Sequence, residues 1–220
     1  VWVDPPLIFD PDKPTAPGTP TTTSPTAGRT PTWSWNGSTD AISGVDEYHI
    51  QIRRSGSVNW DVLDTTLDIP DSLTPADPQT WKQGLALEDG TYEIRVRAMD
   101  VAGNYSDWSG IGSVTVDATP PAAPAIQALD PGYNTSPIAI NWNDVTDGGN
   151  AITYVLQYAD NAGFDVATSE TRSASDYSFG AATAGEGEYW FRVKTISTLP
   201  GAGGTKESGW SPIVSTIYDV

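Results

Sequence analysis

The segment "DGTYEIRVRA" at residues 89–98 returns as "EGEYWFRVKT" at 186–195. Tyr92 aligns with Tyr189, Arg95 with Arg192 and Val96 with Val193. Upstream, "TWSWNGSTD" (32–40) matches "AINWNDVTD" (139–147), and "YHIQIR" (48–53) matches "YVLQYA" (154–159), which pairs Gln51 with Gln157. Downstream, Trp108 lies nine residues before Asp117 and Trp210 nine before Asp219. Four blocks in one order, twice, require two copies of a single unit near 100 residues, and 220 residues accommodate both.

Each copy alternates with a period of two, the signature of a half-buried strand. Tyr92, Ile94, Val96 and Ala98 share one face, and Glu93, Arg95 and Arg97 the other. Tyr189, Phe191 and Val193 repeat the inner face. Tyr48, Ile50 and Ile52 give a second strand, with Tyr154, Leu156 and Tyr158 as its copy, and Trp33 with Trp35 or Ile140 with Trp142 a third. Asn36-Gly37, Asp89-Gly90, Gly148-Gly149 and Gly203-Gly204 separate these runs as turns. The reading is all-β, a pair of immunoglobulin-like sandwiches of about seven short strands each. No strands are placed well between residues 61 and 84.

The order of an early-strand Trp (Trp35, Trp142), then Leu-x-x-Gly-x-Tyr-x-x-Arg-Val (Leu87 to Val96), then Gly-Asn-x-Ser-x-Trp-Ser resembles bacterial and archaeal extracellular fibronectin type III domains. The resemblance covers residues 14–220 and implies that Tyr92 and Tyr189 are tyrosine-corner residues. The second copy departs from it: "AATAGEGEY" replaces the Leu-x-x-Gly lead-in, and "STLPGAGGTKESGW" lengthens the loop before Trp210. The expected organisation is a tail of a preceding repeat plus a Pro-rich linker over 1–13, domain 1 over 14–117 and domain 2 over 118–220. "VWVDPP" (1–6) resembles "VTVDATPP" (114–121), so Val1 to Asp4 read as the last strand of an earlier copy in a longer array. The Pro-rich joints at 5–20 and 118–124 lack backbone donors and are stiff, which favours domains held apart. Val1 in place of an initiator Met, with no signal peptide, reads as a mature product or an excised piece.

"YSDWSG" (105–110) and "ESGWSP" (207–212) share Ser-x-Trp-Ser. On a fibronectin-like fold, Arg95 and Arg97 point outward beneath Trp108, and Arg192 and Lys194 beneath Trp210. A guanidinium over an indole is attractive by about 0.5–2 kcal/mol. The motif therefore reads first as a clamp between neighbouring strands. The same outer face, Arg95, Arg97, Trp108, Trp190, Arg192 and Trp210, is the candidate binding surface, since aromatic faces suit the C–H surface of a sugar ring. Trp190 is expected to lengthen the stack.

The net charge of −17 excludes nucleic acid as a partner, which needs a basic surface, and argues against anionic membranes. No run of 18 apolar residues is present, so no membrane insertion is expected. With no Cys and one His, His49 on an outward strand face, most nucleophile–base pairs and His-based metal sites are excluded. Carboxylate pairs remain available for glycosidase chemistry, but the Asp and Glu residues are scattered through turns, and the expectation is no enzyme. No cofactor is expected. Ca2+ is the metal that the composition leaves open, because its ligands are Asp and loop carbonyls. Three acid groups stand out: Asp4, Asp10 and Asp12; Asp40, Asp46 and Glu47; Asp144, Asp147 and Asn150, with Asp117 near the joint. None has the EF-hand spacing.

Three roles follow: a non-catalytic spacer pair of an extracellular or cell-surface protein or filament; an adhesion module for polysaccharide or a surface protein; accessory domains of a secreted hydrolase. The fold class alone does not choose among them. Neighbouring repeats of the same polypeptide are the expected partners.

Overall fold

A computed structural model describes residues 9–68, 78–130, 132–135, 137–180 and 184–219. The strand expected over residues 1–4 lies outside them. The chain forms two compact units: the first takes in the chain up to Ala118 together with Gly201–Gly203, and the second runs from Thr119 to Pro200 and from Gly204 onward. Among the described residues there is no helix.

The first unit contains β1 (Thr32–Trp35), β2 (Val45–Arg54), β3 (Leu63–Asp68), β4 (Gln79–Lys82), β5 (Gly90–Asp100) and β6 (Gly112–Val116). One sheet has the order β3-β2-β5-β6, and the other pairs β1 with β4. Ahead of β1, Thr21 bridges Ser34 and Thr26 bridges Val116, so this leading segment passes from one sheet to the other. The inward residues are those the alternation selects: Tyr48, Ile50 and Ile52 from β2, Tyr92, Ile94, Val96 and Ala98 from β5, and Trp33 and Trp35 from β1, all buried. Each large side chain withdrawn from water stabilises the sandwich by roughly 1.5–3 kcal/mol. Trp35 meets Tyr48 edge-on at 5.6 Å. The Tyr48 hydroxyl then accepts the Ser38 N–H at 2.7 Å, which satisfies both groups inside the core.

The 61–84 stretch contributes β3 and β4. In β3 no residue is fully buried, which is why its sequence lacks a clear apolar phase. Residues 69–77, between the two strands, lie outside the described set.

The second unit contains β7 (Tyr133–Asn134), β8 (Ile138–Asn141), β9 (Ala151–Ala159), β10 (Thr168–Arg172), β11 (Asp176–Phe179), β12 (Gly187–Thr198), β13 (Thr205–Glu207) and β14 (Val214–Tyr218). Its larger sheet has the order β10-β9-β12-β14-β7, with β13 also on β12, and β11 pairs with β8. Trp142 meets Tyr154 edge-on at 5.5 Å, and the Tyr154 hydroxyl accepts the Val145 N–H at 2.9 Å. This repeats the Trp35–Tyr48–Ser38 arrangement. The core is more aromatic: Phe179 lies 4.8 Å from Tyr189, 5.0 Å from Phe191 and 5.1 Å from Tyr158.

Both corner tyrosines behave as the resemblance implies. Tyr92 donates to the Glu88 carbonyl at 2.9 Å, and Tyr189 to the Gly185 carbonyl at 3.1 Å. The lengthened loop of the second copy is partly strand. Thirteen residues separate Thr195 from Ser208, against eight from Ala98 to Ser106, and the extra length folds back as β13 along β12.

Candidate functional site

The Ser-x-Trp-Ser motif is a backbone clamp. Ser106 donates its N–H to the Ala98 carbonyl, while its Oγ accepts the Ala98 N–H at 2.9 Å. Ser109 does the same with Val96, its Oγ accepting at 3.0 Å. Each hydroxyl proton goes to the carbonyl of the following residue, Asp107 or Gly110. In the second unit, Ser208 and Ser211 hold Thr195 and Val193 in the same way, at 2.9 and 3.1 Å. The serines thus continue the ladder on β5 and β12 where no regular strand lies alongside, and the Trp between them is delivered onto the outer face.

On that face Arg95 lies 4.1 Å from the Trp108 ring centre, and Arg97 lies 4.6 Å from it on the next outward position. The stack extends beyond the expected pair. Arg95 and Arg53 both lie 4.3 Å from Trp60, and Arg97 lies 3.9 Å from Tyr105. Gln51 accepts from Arg95 Nε and Nη2 at 3.0 and 2.7 Å, fixing the plane of the guanidinium. Gln51 in turn donates to Asp64 at 3.0 Å, and Asp64 also holds His49 Nε2. Burial and the neighbouring Arg53 and Arg97 charges push the Arg95 pKa below its ordinary value.

The second unit carries a shorter version. Arg192 lies 4.4 Å from Trp210 and 4.1 Å from Phe164, and Lys194 lies 5.2 Å from Trp210. Gln157 accepts from Arg192 at 2.9 and 2.8 Å, repeating Gln51. Trp190 shares the outer face and is half-buried, cross-strand from Ala159 and Ser215. Among the described residues it makes no ring or cation–π contact. Phe164, not Trp190, extends this stack.

Trp60, Tyr105 and Phe164 were not anticipated. One signal could have found Trp60 and Phe164: the echo of "NWDV" (59–62) in "GFDV" (163–166). Phe164 adopts φ 56°, a left-handed conformation rare for a bulky residue. The Asn161 side chain and carbonyl hold the turn by accepting from Gly163, Phe164 and Asp165.

In chemical terms the face is largely self-satisfied. Each stacked guanidinium has rings on its faces, and Gln51 or Gln157 takes the edge of Arg95 or Arg192.

The acidic residues are regrouped relative to the sequence expectation. Asp4 lies outside the described residues. Asp10, Asp40 and Asp100 come together, each offering an oxygen within 4.8 Å of the others, although Asp100 stood in no acidic group. Asp40 accepts the N–H groups of Gly44, Ile42 and Ser43, which lower its pKa from 3.8. Asp147, the counterpart of Asp40, instead pairs with Lys206 at 2.8 Å. Burial alone would raise the Asp147 pKa, but the Lys206 ammonium and the Asn150 amide hold it below 3.8. Ser197 approaches the same carboxylate without reaching hydrogen-bond geometry.

No protein-family model matches the chain. Exoglucanase B of Cellulomonas fimi is 32% identical over 182 residues, covering 79% of this chain and 15% of that protein. The chain therefore spans about 15% of that relative's length. The solved FN1–FN3 domains of chicken CNTN1 align over 94% of this chain and 67% of theirs, at 17% identity and a TM-score of 0.36. By strand order, corner tyrosines and paired Trp–Tyr cores, each unit of the chain is an immunoglobulin-like β-sandwich of the fibronectin type III kind.

Proposed function

We propose that the chain is a non-catalytic pair of accessory domains that spaces or stiffens a larger extracellular or cell-surface protein. The observation that carries this reading is the outer face itself. Its most functional-looking residues are spent on one another, as rings on guanidiniums and serines on backbone, rather than held open toward a ligand. The likeness to a minor share of a much longer exoglucanase supports placement beside a hydrolase whose chemistry resides elsewhere. Neighbouring domains of the same polypeptide are then the partners. Adhesion through polysaccharide is the second reading, favoured by the half-buried Trp190, which lacks a cationic partner among the described residues.

The test is incubation of the purified chain with insoluble cellulose and other polysaccharides, measuring protein depletion and released reducing sugar. The expected result is neither. Saturable retention that Trp190→Ala abolishes at unchanged Tm would replace the spacer reading with the adhesive one. Sugar release would overturn its non-catalytic part.

A further inference from the structure

The two copies fill one place in the fold with different charge. In the second unit, Lys206 lies opposite Ser197 on the β12–β13 pair and reaches Asp147; its side chain is 3% exposed. The clamps fix the equivalent residues in the first unit. Lys206 and Asn104 each stand two residues before the clamp serine, Ser208 or Ser106, that bonds Thr195 or Ala98. Ser197 and Asp100 each stand two residues after that bonded strand residue. Asp147 and Asp40 align through the Trp142 and Trp35 blocks.

So where the second unit sets a carboxylate, a serine and an ammonium, the first sets a carboxylate, a second carboxylate and a neutral amide. Asp10 then adds a third carboxylate. Asp100 is 0% exposed and Asp10 8%. Among the described residues none of the three forms an ion pair. The donors to their carboxylates are neutral: Asn104 to Asp100, Ser43 to Asp10 and Asp40, Ile42 and Gly44 to Asp40, and Asp12 to Asp10. The Asn104 amide nitrogen, with two protons, faces three oxygens: Asp100 Oδ2 and the carbonyls of Asp10 and Asp12. The Ser43 hydroxyl beside them is buried without a partner. Two buried carboxylates beside a half-buried third, with no ion pair among the described residues, favour a compensating cation. The second copy shows where one sits, because Lys206 supplies it there.

We propose that Asp10, Asp40 and Asp100 bind a divalent cation of the Ca2+ class at the place that Lys206 Nζ takes in the other copy. The donors are all hard oxygens, with no nitrogen or sulfur ligand for a softer metal. Oxygens within 4.8 Å of one another can share an ion with Ca–O bonds of roughly 2.3–2.6 Å. The ion joins the segment that leads into the sandwich, through Asp10, to the loop after β1, through Asp40, and to the end of β5, through Asp100.

The test is calorimetric titration of the full chain with CaCl2 after EDTA treatment, and with MgCl2, alongside melting curves at matched ionic strength. The expected result is one Ca2+ site with Kd of roughly 10⁻⁴–10⁻³ M, as in extracellular modules, and a Ca2+-specific rise in Tm. Asp10→Asn and Asp100→Asn should each weaken binding about tenfold or more, while Asp147→Asn leaves it unchanged. Should Asp100→Asn not fold, Asp10→Asn decides. Absence of binding to the intact chain at several millimolar Ca2+, a Tm rise that NaCl reproduces, or undiminished binding by Asp10→Asn would overturn the proposal.

Discussion

Arg97 Nε donates to His49 Nδ1 at 3.1 Å, and this contact sets which nitrogen of the histidine carries its proton. An arginine has no lone pair to offer, so Nδ1 must be the acceptor. The proton of the neutral ring then lies on Nε2, facing Asp64. The ring is also 5.3 Å from Trp108, which makes it part of the outer stack rather than an independent group.

The first prediction concerns that proton. Long-range 1H–15N NMR of the neutral imidazole should show Nε2 protonated and Nδ1 bare. Arg97→Lys should loosen this preference. A bare Nε2 in the native protein would contradict the arrangement.

Removing the two halves of the clamp should separate their contributions. Ser109→Ala leaves the buried Val96 N–H without its side-chain acceptor, at an expected cost of about 1–3 kcal/mol. Trp108→Ala removes the ring between Arg95 and Arg97, and its cation–π share is about 0.5–2 kcal/mol. Urea unfolding of the two variants and of the double variant measures both terms. A neutral Ser109→Ala would mean that the hydroxyl is not part of the ladder.

The Asp147–Lys206 pair predicts an acid dependence. The folded carboxyl has a pKa below its ordinary 3.8, so the pair stabilises fully above that value. The contribution disappears as pH falls through the lower folded value. Asp147→Asn should cost about 3 kcal/mol at neutral pH, because it strips the carboxylate from an ammonium that is 3% exposed. It should also flatten the fall in Tm between pH 5 and pH 2, on the order of the window in which such carboxylates titrate. Thermal melts across that range, with Asp147→Asn/Lys206→Met as the uncharged reference, check both statements.

Phe164 gives an unusual ordering of substitutions. At φ 56° a side chain costs roughly 1–2 kcal/mol that glycine does not. Both Phe164→Ala and Phe164→Gly lose the stack on Arg192, but the glycine variant should be the more stable by about 1 kcal/mol. The usual order, with alanine more stable, would show that the turn relaxes when the ring is removed.

What the sequence made legible was whatever repeats at fixed spacing. The inner faces of β2, β5, β9 and β12 follow from alternation alone; Arg95 and Arg192 follow from their matched strand positions, and Trp108 and Trp210 from the repeated Ser-x-Trp-Ser motif. Trp60 and Phe164 did not emerge because they sit in loops of unequal length, nine residues after Gln51 in one copy and seven after Gln157 in the other. Strand periodicity cannot see a residue that arrives by a turn. The acids failed for a different reason. Asp10, Asp40 and Asp100 are far apart along the chain, and reading neighbours by sequence distance assigned Asp40 to Asp46 and Glu47 instead. The partner of Asp147 lies in the β12–β13 hairpin, which has no counterpart among the described residues of the first copy.

β5 runs for 11 residues, but its neighbour β6 covers only five, and Ser106 and Ser109 occupy the two backbone positions that would otherwise lie open. An open row of donors and acceptors is a template on which a stray strand can grow. A chain that carries two copies of one sandwich keeps similarly patterned strands at high mutual concentration. By filling those positions with side-chain hydroxyls, the serine pairs remove from each sandwich a stretch of open edge on which a strand of the other copy could grow.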